Sequence, residues 1–290
     1  MKLIKPSFEI WNQPAGLEGV YKQIERVGRV CYKSEDKITE DSAKPFVDRM
    51  IKSGHGAMLE HGTVYLTAEG KNTQVLSKYQ GNKYSKLYYN TYDDYESQVP
   101  IVYVTTNLRV LVENGWLDDL QYICEPTEFH EKRITVHFVC DRGVSHEFVR
   151  HRVMSFAQES TRYCNYSKDK FGNEITFIKP CFLDDSKLAL YGPYHTVIRD
   201  KSPESIFIAS LNNAEKDYID LIDLGWKPQE ARAVLPNALK TELVVTGFAS
   251  DWNHFFGLRA KGTTGAPHPQ AKELAEPLMK EFIARKYINN

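Results

Sequence analysis

Helices and strands that alternate along one chain, with no internal repeat and no low-complexity linker, predict a single α/β (or α+β) domain built on a central sheet flanked by helices. Two periodicities carry this reading. Apolar residues recur three and four apart over residues 16–30, and apolar and polar residues alternate strictly over residues 134–140. A chain of 290 residues is long enough to bury a full core, so one domain spanning 1–290 is expected.

Taken in order, Leu17, Val20, Ile24 and Val27 mark one face of a first helix. Ser42 reads as the N-cap of a second, which turns Phe46, Val47, Met50 and Ile51 inward and stops near Gly54 and Gly56. Residues 63–67 read as a strand with Val64 and Leu66 on one side. The stretch from about 70 to 132 reads as an insertion between the first two strands, with helical pieces over 105–114 and 117–123. It is rich in tyrosine, with Tyr79, Tyr84, Tyr88, Tyr89, Tyr92, Tyr95 and Tyr103. Those rings suit either a surface subdomain with partly buried aromatics or a stacking wall over a planar ligand.

Ile134, Val136, Phe138 and Cys140 form the buried side of the next strand. Asp141 and Gly143 then turn the chain into a helix expected to begin near Ser145 and to carry His146 through Arg152. A long helix over 204–224 and a short one over 228–234, stopped by Pro236, follow. The last elements are a strand over 239–246, a helix over 250–261 and a terminal helix over 270–287, in which Pro277 predicts a kink.

The net charge of −1 argues against a broad basic surface for nucleic acid or anionic membrane, so any anion site must come from local clustering. Cys31, Cys124, Cys140, Cys164 and Cys181 are odd in number, widely spaced and without a Cys-x-x-Cys pair. This disfavours a disulfide framework or thiolate zinc site and predicts a reducing, cytoplasmic setting. MKLIKPSFEIWN lacks the apolar core of a signal peptide, and no apolar run is long enough to span a bilayer, so a soluble protein is expected. No two histidines show metal-ligand spacing on one element, so no metal is expected.

The segment RHRVMSFAQESTRY, residues 150–163, stands apart. It gathers Arg150, His151, Arg152 and Arg162, with Ser155 and Ser160 between them and only Glu147 and Glu159 nearby as counter-charges. Unpaired buried charge is costly, so either acids from elsewhere in the fold or an anionic ligand must complete the balance. Arg suits bidentate holding of phosphate or of a planar ring edge. Arg232, in an apolar helix end, and Arg259, after an aromatic amphipathic turn, are further candidates, though each taken alone reads more readily as a structural ion pair.

That segment resembles the signature of the flavin-dependent thymidylate synthases: Arg150-His151-Arg152, then Ser160, with Arg162-Tyr163 after it. Glu60-His61 opening a strand resembles the family's upstream Glu-His segment, and ARAVLP with WNHFFGLR resembles its C-terminal half. The likeness covers roughly 17–66 and 134 to the C-terminus, and leaves the tyrosine-rich stretch outside.

The resemblance implies a thymidylate synthase-complementing-type α/β domain that assembles as a homotetramer with sites shared between subunits. It implies reductive methylation of dUMP to dTMP without a cysteine nucleophile, using methylenetetrahydrofolate, FAD and NADPH. It assigns FAD to His61, Thr63, Arg150, His151, Arg152, Gln158, Phe248, Ala249, Ser250 and His254. It assigns dUMP to Glu147, Arg150, Gln158, Glu159, Ser160, Thr161, Arg162, Arg232 and Arg259, with Arg259 placed against the uracil where negative charge develops. The family often has Asn-Glu at Ala157-Gln158, Gln at Glu147 and Asn at Phe248 and His254.

Other readings stay open on the residues alone. A cysteine-dependent synthase would need an activated thiol, and Cys181 in Lys179-Pro180-Cys181-Phe182 has no neighbouring His or Arg in sequence. A non-enzymatic nucleotide or single-stranded nucleic-acid binder could use the same arginines and tyrosines.

Overall fold

The computed structural model describes residues 1–90, 100–168, 172–188 and 202–289; Tyr92 and Tyr95 lie outside them. The mixed α+β class holds, and the described strands form three sheets, of which the four-stranded one is central. They are β1 (Lys2–Ile4), β2 (Ser7–Trp11), β3 (Thr63–Glu69), β4 (Lys86–Asn90), β5 (Ile101–Asn107), β6 (Arg133–Asp141), β7 (Ser155–Gln158), β8 (Thr176–Ile178) and β9 (Lys240–Phe248).

The central sheet runs β2-β6-β9-β7, antiparallel throughout. Val245 of β9 lies between Val136 of β6 and Phe156 of β7, so β9 is hydrogen-bonded on both edges. Its side chains alternate between two cores, as period-2 geometry requires. Val244 joins Val20, Ile24 and Val27 of the Gly16–Tyr32 helix and Val64, Leu66 and Val104 of the sheet β3-β5-β4. Leu243 and Val245 join Phe138, Phe148 and the helices Ala249–Phe256 and Pro269–Ala284. A third core lies beneath the Pro203–Asp223 helix, where Leu211 and Tyr218 meet Tyr166 and Phe177. Gly247 allows β9 to approach Met154 closely, since a Cβ there would meet the Met154 Cε at 2.7 Å.

Several expectations need correction. β1 and β2 precede the strand expected to come first; β1 is only 3 residues long, too short for period 2 to register. Ser42 sits at the N-cap of the Ala43–Lys52 helix, yet makes no capping bond; its hydroxyl oxygen accepts from Thr39 N at 2.8 Å and its proton goes to Glu25 Oε2 at 2.7 Å. Residues 105–107 belong to β5 rather than a helix, and the helix Leu108–Asn114 starts after Asn107, whose Oδ1 accepts from Val110 N at 3.2 Å. The segment 70–132 is more than a surface layer: β4 and β5 complete the sheet begun by β3, and Leu76, Tyr79, Val102 and Leu111 are buried in its core. Tyr79 is fully buried and donates to Asp119 Oδ2 at 2.7 Å, whereas Tyr88 and Tyr89 are exposed. Among the described residues no helix is long and apolar enough to cross a membrane.

Trp252 locks the second core. It is fully buried, packs against Phe138, Phe255, Phe256 and Phe282, and donates its indole N–H to Ile134 O at 3.2 Å. Trp252→Ala should cost about 3–5 kcal/mol of unfolding free energy in urea titration. A loss under 1 kcal/mol would mean that this core is not closed around the ring.

Candidate functional site

The arginine-rich segment is a turn rather than the tail of a helix. The helix Arg142–Phe148, capped by Asp141 Oδ1 accepting from Val144 N at 2.8 Å, ends before the motif. Arg150, His151 and Arg152 follow in the turn, and β7 begins at Ser155. Val153 closes the turn at φ 77°. A β-branched residue in that left-handed region is strained by roughly 1–3 kcal/mol. Buried Met154 and the first residue of β7 hold it there.

Around this turn the structure gathers the expected residues into three groups. In the first, Gln158 Nε2 donates to Ser145 Oγ at 2.9 Å and Thr241 Oγ1 at 3.1 Å. Ser160 N donates to Cys31 O at 3.0 Å, and Arg232 Nη1 donates to Thr161 Oγ1 at 2.9 Å. Arg162 lies over the Tyr163 ring at 5.5 Å. The second group is Arg259 with Glu147, His151 and His254. Arg259 donates through Nη1 to Glu147 Oε2 at 2.5 Å, through Nη2 to Glu147 O at 2.8 Å, and through Nε to His151 Nε2 at 3.2 Å. The rings of His151 and His254 meet edge-on at 5.7 Å.

The third group lies at the far end of β9. His61 is fully buried with Nδ1 2.8 Å from Thr246 Oγ1, and Phe248 is buried one strand position beyond Gly247. Ser250 Oγ donates to Glu131 Oε1 at 2.5 Å. Thr63 lines a cavity of about 240 Å³ with Gln13, Tyr65 and Arg133. Arg259 with Glu147, and Arg232 with Thr161, line two other cavities. One chain therefore presents the three groups separately.

Charge accounting within the first two groups is lopsided. Glu147 is taken by Arg259. Glu159 is buried and held by Lys240 Nζ at 2.9 Å and the Tyr166 hydroxyl at 3.2 Å. Glu242 binds Lys33 at 2.8 Å, His137 at 2.9 Å and Lys240. Burial alone would raise the Glu242 carboxyl, but His137, Lys240 and Lys33 outweigh it and hold it well below the usual carboxylate range. Arg150, Arg152, Arg162 and Arg232 are exposed, and among the described residues none has a carboxylate within salt-bridge distance.

His151 is buried, and Arg259 and His254 add repulsion, so its imidazole is held down to about 4. Arg259 has no acceptor, so its bond to Nε2 uses a lone pair and places the proton on Nδ1. That Nδ1 is buried without a partner among the described residues. A buried donor left without an acceptor is uncommon in a folded chain.

Two arginines escaped the sequence reading. Arg133 reaches Glu60 O at 2.9 Å, Ser155 Oγ at 3.2 Å and Thr63 Oγ1 at 3.4 Å, and lies 5.5 Å from the Phe248 ring. It binds the His61–Thr63 corner to β6 and β7, and no sequence spacing marks it. Arg142 begins the helix after β6 and lines the cavity of Arg232.

None of the thiols is activated: burial pushes Cys31 up to about 11 and Cys164 up to about 12, and raises Cys124, Cys140 and the exposed Cys181. Among the described residues no cluster of three His, Cys, Asp or Glu side chains could hold a metal.

The family model described as "Thymidylate synthase complementing protein" matches residues 114–285. A flavin-dependent thymidylate synthase of Geobacter sulfurreducens is 31% identical over 118 residues, 41% of this chain and 43% of that protein. One from Pyrococcus furiosus is 32% identical over 149 residues, 51% of this chain and 53% of its own. These alignments thus span about half the length of each relative or less. A third, from Corynebacterium aurimucosum, is 23% identical over 273 residues, 93% of this chain and 78% of that protein.

His61, fully buried near Arg133, is held down to about 3, below even His151. Unfolded histidine titrates near 6.5. Between those values the unfolded chain binds more protons than the folded one, so stability rises with pH through this window and falls as acid is added. The urea midpoint should therefore be lower at pH 5 than at pH 7.5, and His151→Gln should shrink that difference. An unchanged pH slope in the variant would show that His151 titrates normally in the fold.

Proposed function

This chain belongs to the thymidylate synthase complementing protein family, and we propose that it is a flavin-dependent thymidylate synthase converting dUMP to dTMP. In this reading methylenetetrahydrofolate donates the methylene group and NADPH is the reductant. FAD, when bound, supplies the hydride. One observation carries the proposal: four exposed guanidiniums lie on one turn and its neighbours while the nearby acids are consumed by other cations. A surface of this kind calls for a polyanionic ligand, and a nucleotide with a flavin dinucleotide provides one. The names of the relatives support the same choice.

FAD would be held by His61, Thr63, Arg150, His151, Arg152, Gln158, Phe248, Ala249, Ser250 and His254. The residues fit such a group: among the described residues the buried Nδ1–H of His151 has no acceptor, and Arg150 and Arg152 have no counter-charge. dUMP would be held by Glu147, Arg150, Gln158, Glu159, Ser160, Thr161, Arg162, Arg232 and Arg259. Gln158 and Glu159 are already bonded within the chain, so they would act by shaping the loop as much as by contact. Glu147 fixes Arg259 at two points, so its cation is preorganised to stabilise negative charge on an N3-deprotonated uracil. Raised thiols on every cysteine favour chemistry without a cysteine nucleophile.

Three groups spread over one chain suit a site completed by other subunits, in keeping with a homotetramer. The catalytic domain would then be 1–290, with the insertion at 70–132 falling inside the family match from residue 114 onward.

The first test is an absorption spectrum of the protein after adding FAD, with and without dUMP. Retained flavin whose spectrum shifts with dUMP is expected. Flavin retained under no condition would overturn the reading and make single-stranded nucleic acid the next anion to try. Arg259→Ala should abolish thymidylate formation while FAD stays bound; near-normal turnover would remove its role.

A further inference from the structure

Arg142 lies outside every residue set the family resemblance supplies, yet it faces the same cavity as Arg232 and Thr161. That cavity holds about 270 Å³, opens to solvent and is also lined by Leu235, Pro236 and Asn237. Among the described residues no carboxylate lines it. The Arg142 backbone is fixed, its N–H donating to Asn237 O at 3.0 Å and Leu239 O at 3.1 Å. Its guanidinium is not: Nη1 is buried without a partner among the described residues. The adjacent Asp141 makes no ion pair with it among the described residues, its carboxylate accepting instead from Val144 N at 2.8 Å and Gln270 Nε2 at 2.9 Å.

Across the cavity Arg232 is steered by its bond to Thr161 Oγ1 at 2.9 Å, and it too has no acid partner among the described residues. Two guanidiniums in one acid-free cavity repel each other, and burial magnifies the cost. A doubly charged, tetrahedral oxyanion removes both problems, since it offers several acceptors and can take a forked contact from each Arg.

We propose that Arg142 and Arg232 together grip the phosphate group of the nucleotide substrate, Arg142 from the buried side and Arg232 from the exposed side. The proposal rests on the dUMP reading for the identity of the nucleotide, while the cavity itself calls only for a phosphate monoester or inorganic phosphate. Arg142 is then a substrate-binding residue that sets preference for a 5′-phosphorylated nucleoside over the free nucleoside.

The test compares dUMP, deoxyuridine and inorganic phosphate binding in the wild-type protein, Arg142→Met and Arg142→Lys, all loaded with FAD. Losing one charge-assisted contact should weaken dUMP binding in Arg142→Met by about ten- to a hundredfold. Deoxyuridine binding and FAD retention should not change, and phosphate should compete with dUMP in the wild type far better than in Arg142→Met. Arg142→Lys, which keeps the charge, should recover most of the dUMP affinity and guards against a folding defect in the Met variant. Equal weakening of dUMP and deoxyuridine would assign Arg142 a structural role and overturn the proposal, as would unchanged dUMP affinity in Arg142→Met. Wild-type protein that binds phosphate in an Arg142-dependent way but not dUMP would overturn the functional reading and leave the cavity assignment standing. Binding of neither would overturn both.

Discussion

Everything near the site depends on the double pairing of β9. With β6 on one edge and β7 on the other, its backbone groups are satisfied by hydrogen bonding, so both faces can be apolar. Val244 commits one face to the first core and Leu243 and Val245 commit the other to the second. A slip of one residue would exchange those faces, so the register is strongly specified. The polar ends of the strand are thereby fixed. Lys240 and Glu242 emerge beside Glu159 at one end, and Thr246 meets His61 at the other.

The second organising feature is how carboxylates are used. Lys33, at the left-handed end of the first helix, reaches across to Glu242, and Lys240 bridges Glu242 and Glu159. This network ties the segment after β7 to the first helix, and the bond from Ser160 N to Cys31 O reinforces it. Acids are engaged in holding the frame, which leaves the guanidiniums of the turn with positive potential and no counter-ion among the described residues. Such an arrangement is tolerable on folding because those arginines remain hydrated until a ligand replaces the water.

What the sequence revealed followed from periodicity and from residue chemistry. Ile134, Val136, Phe138 and Cys140 alternated strictly, and they form the buried side of β6. Leu17, Val20, Ile24 and Val27 kept helical spacing and lie on the inner face of the first helix. The motif residues were legible as an anion-seeking cluster from their chemistry alone. Their conformation was not, because polar residues after a helix carry no apolar period to show where it stops, and the helix ends at Phe148. Residues 105–107 read as the start of a helix because a strand passes directly into a helix at Asn107. Arg133 and Arg142 were invisible as site residues, since each is a single arginine at one end of β6 whose partners come from distant parts of the chain.

The left-handed backbone at Val153 has a bearing on how ligands are received. Strain of this kind persists only where the surroundings over-determine it, and here Met154 and β7 on one side and the capped helix on the other do so. The turn is consequently rigid before any anion arrives, and the conformational entropy of ordering three consecutive residues is lost when the chain folds, not when it binds. A floppy basic loop would attract the same ligands and then have to freeze around them. This one meets them already in shape.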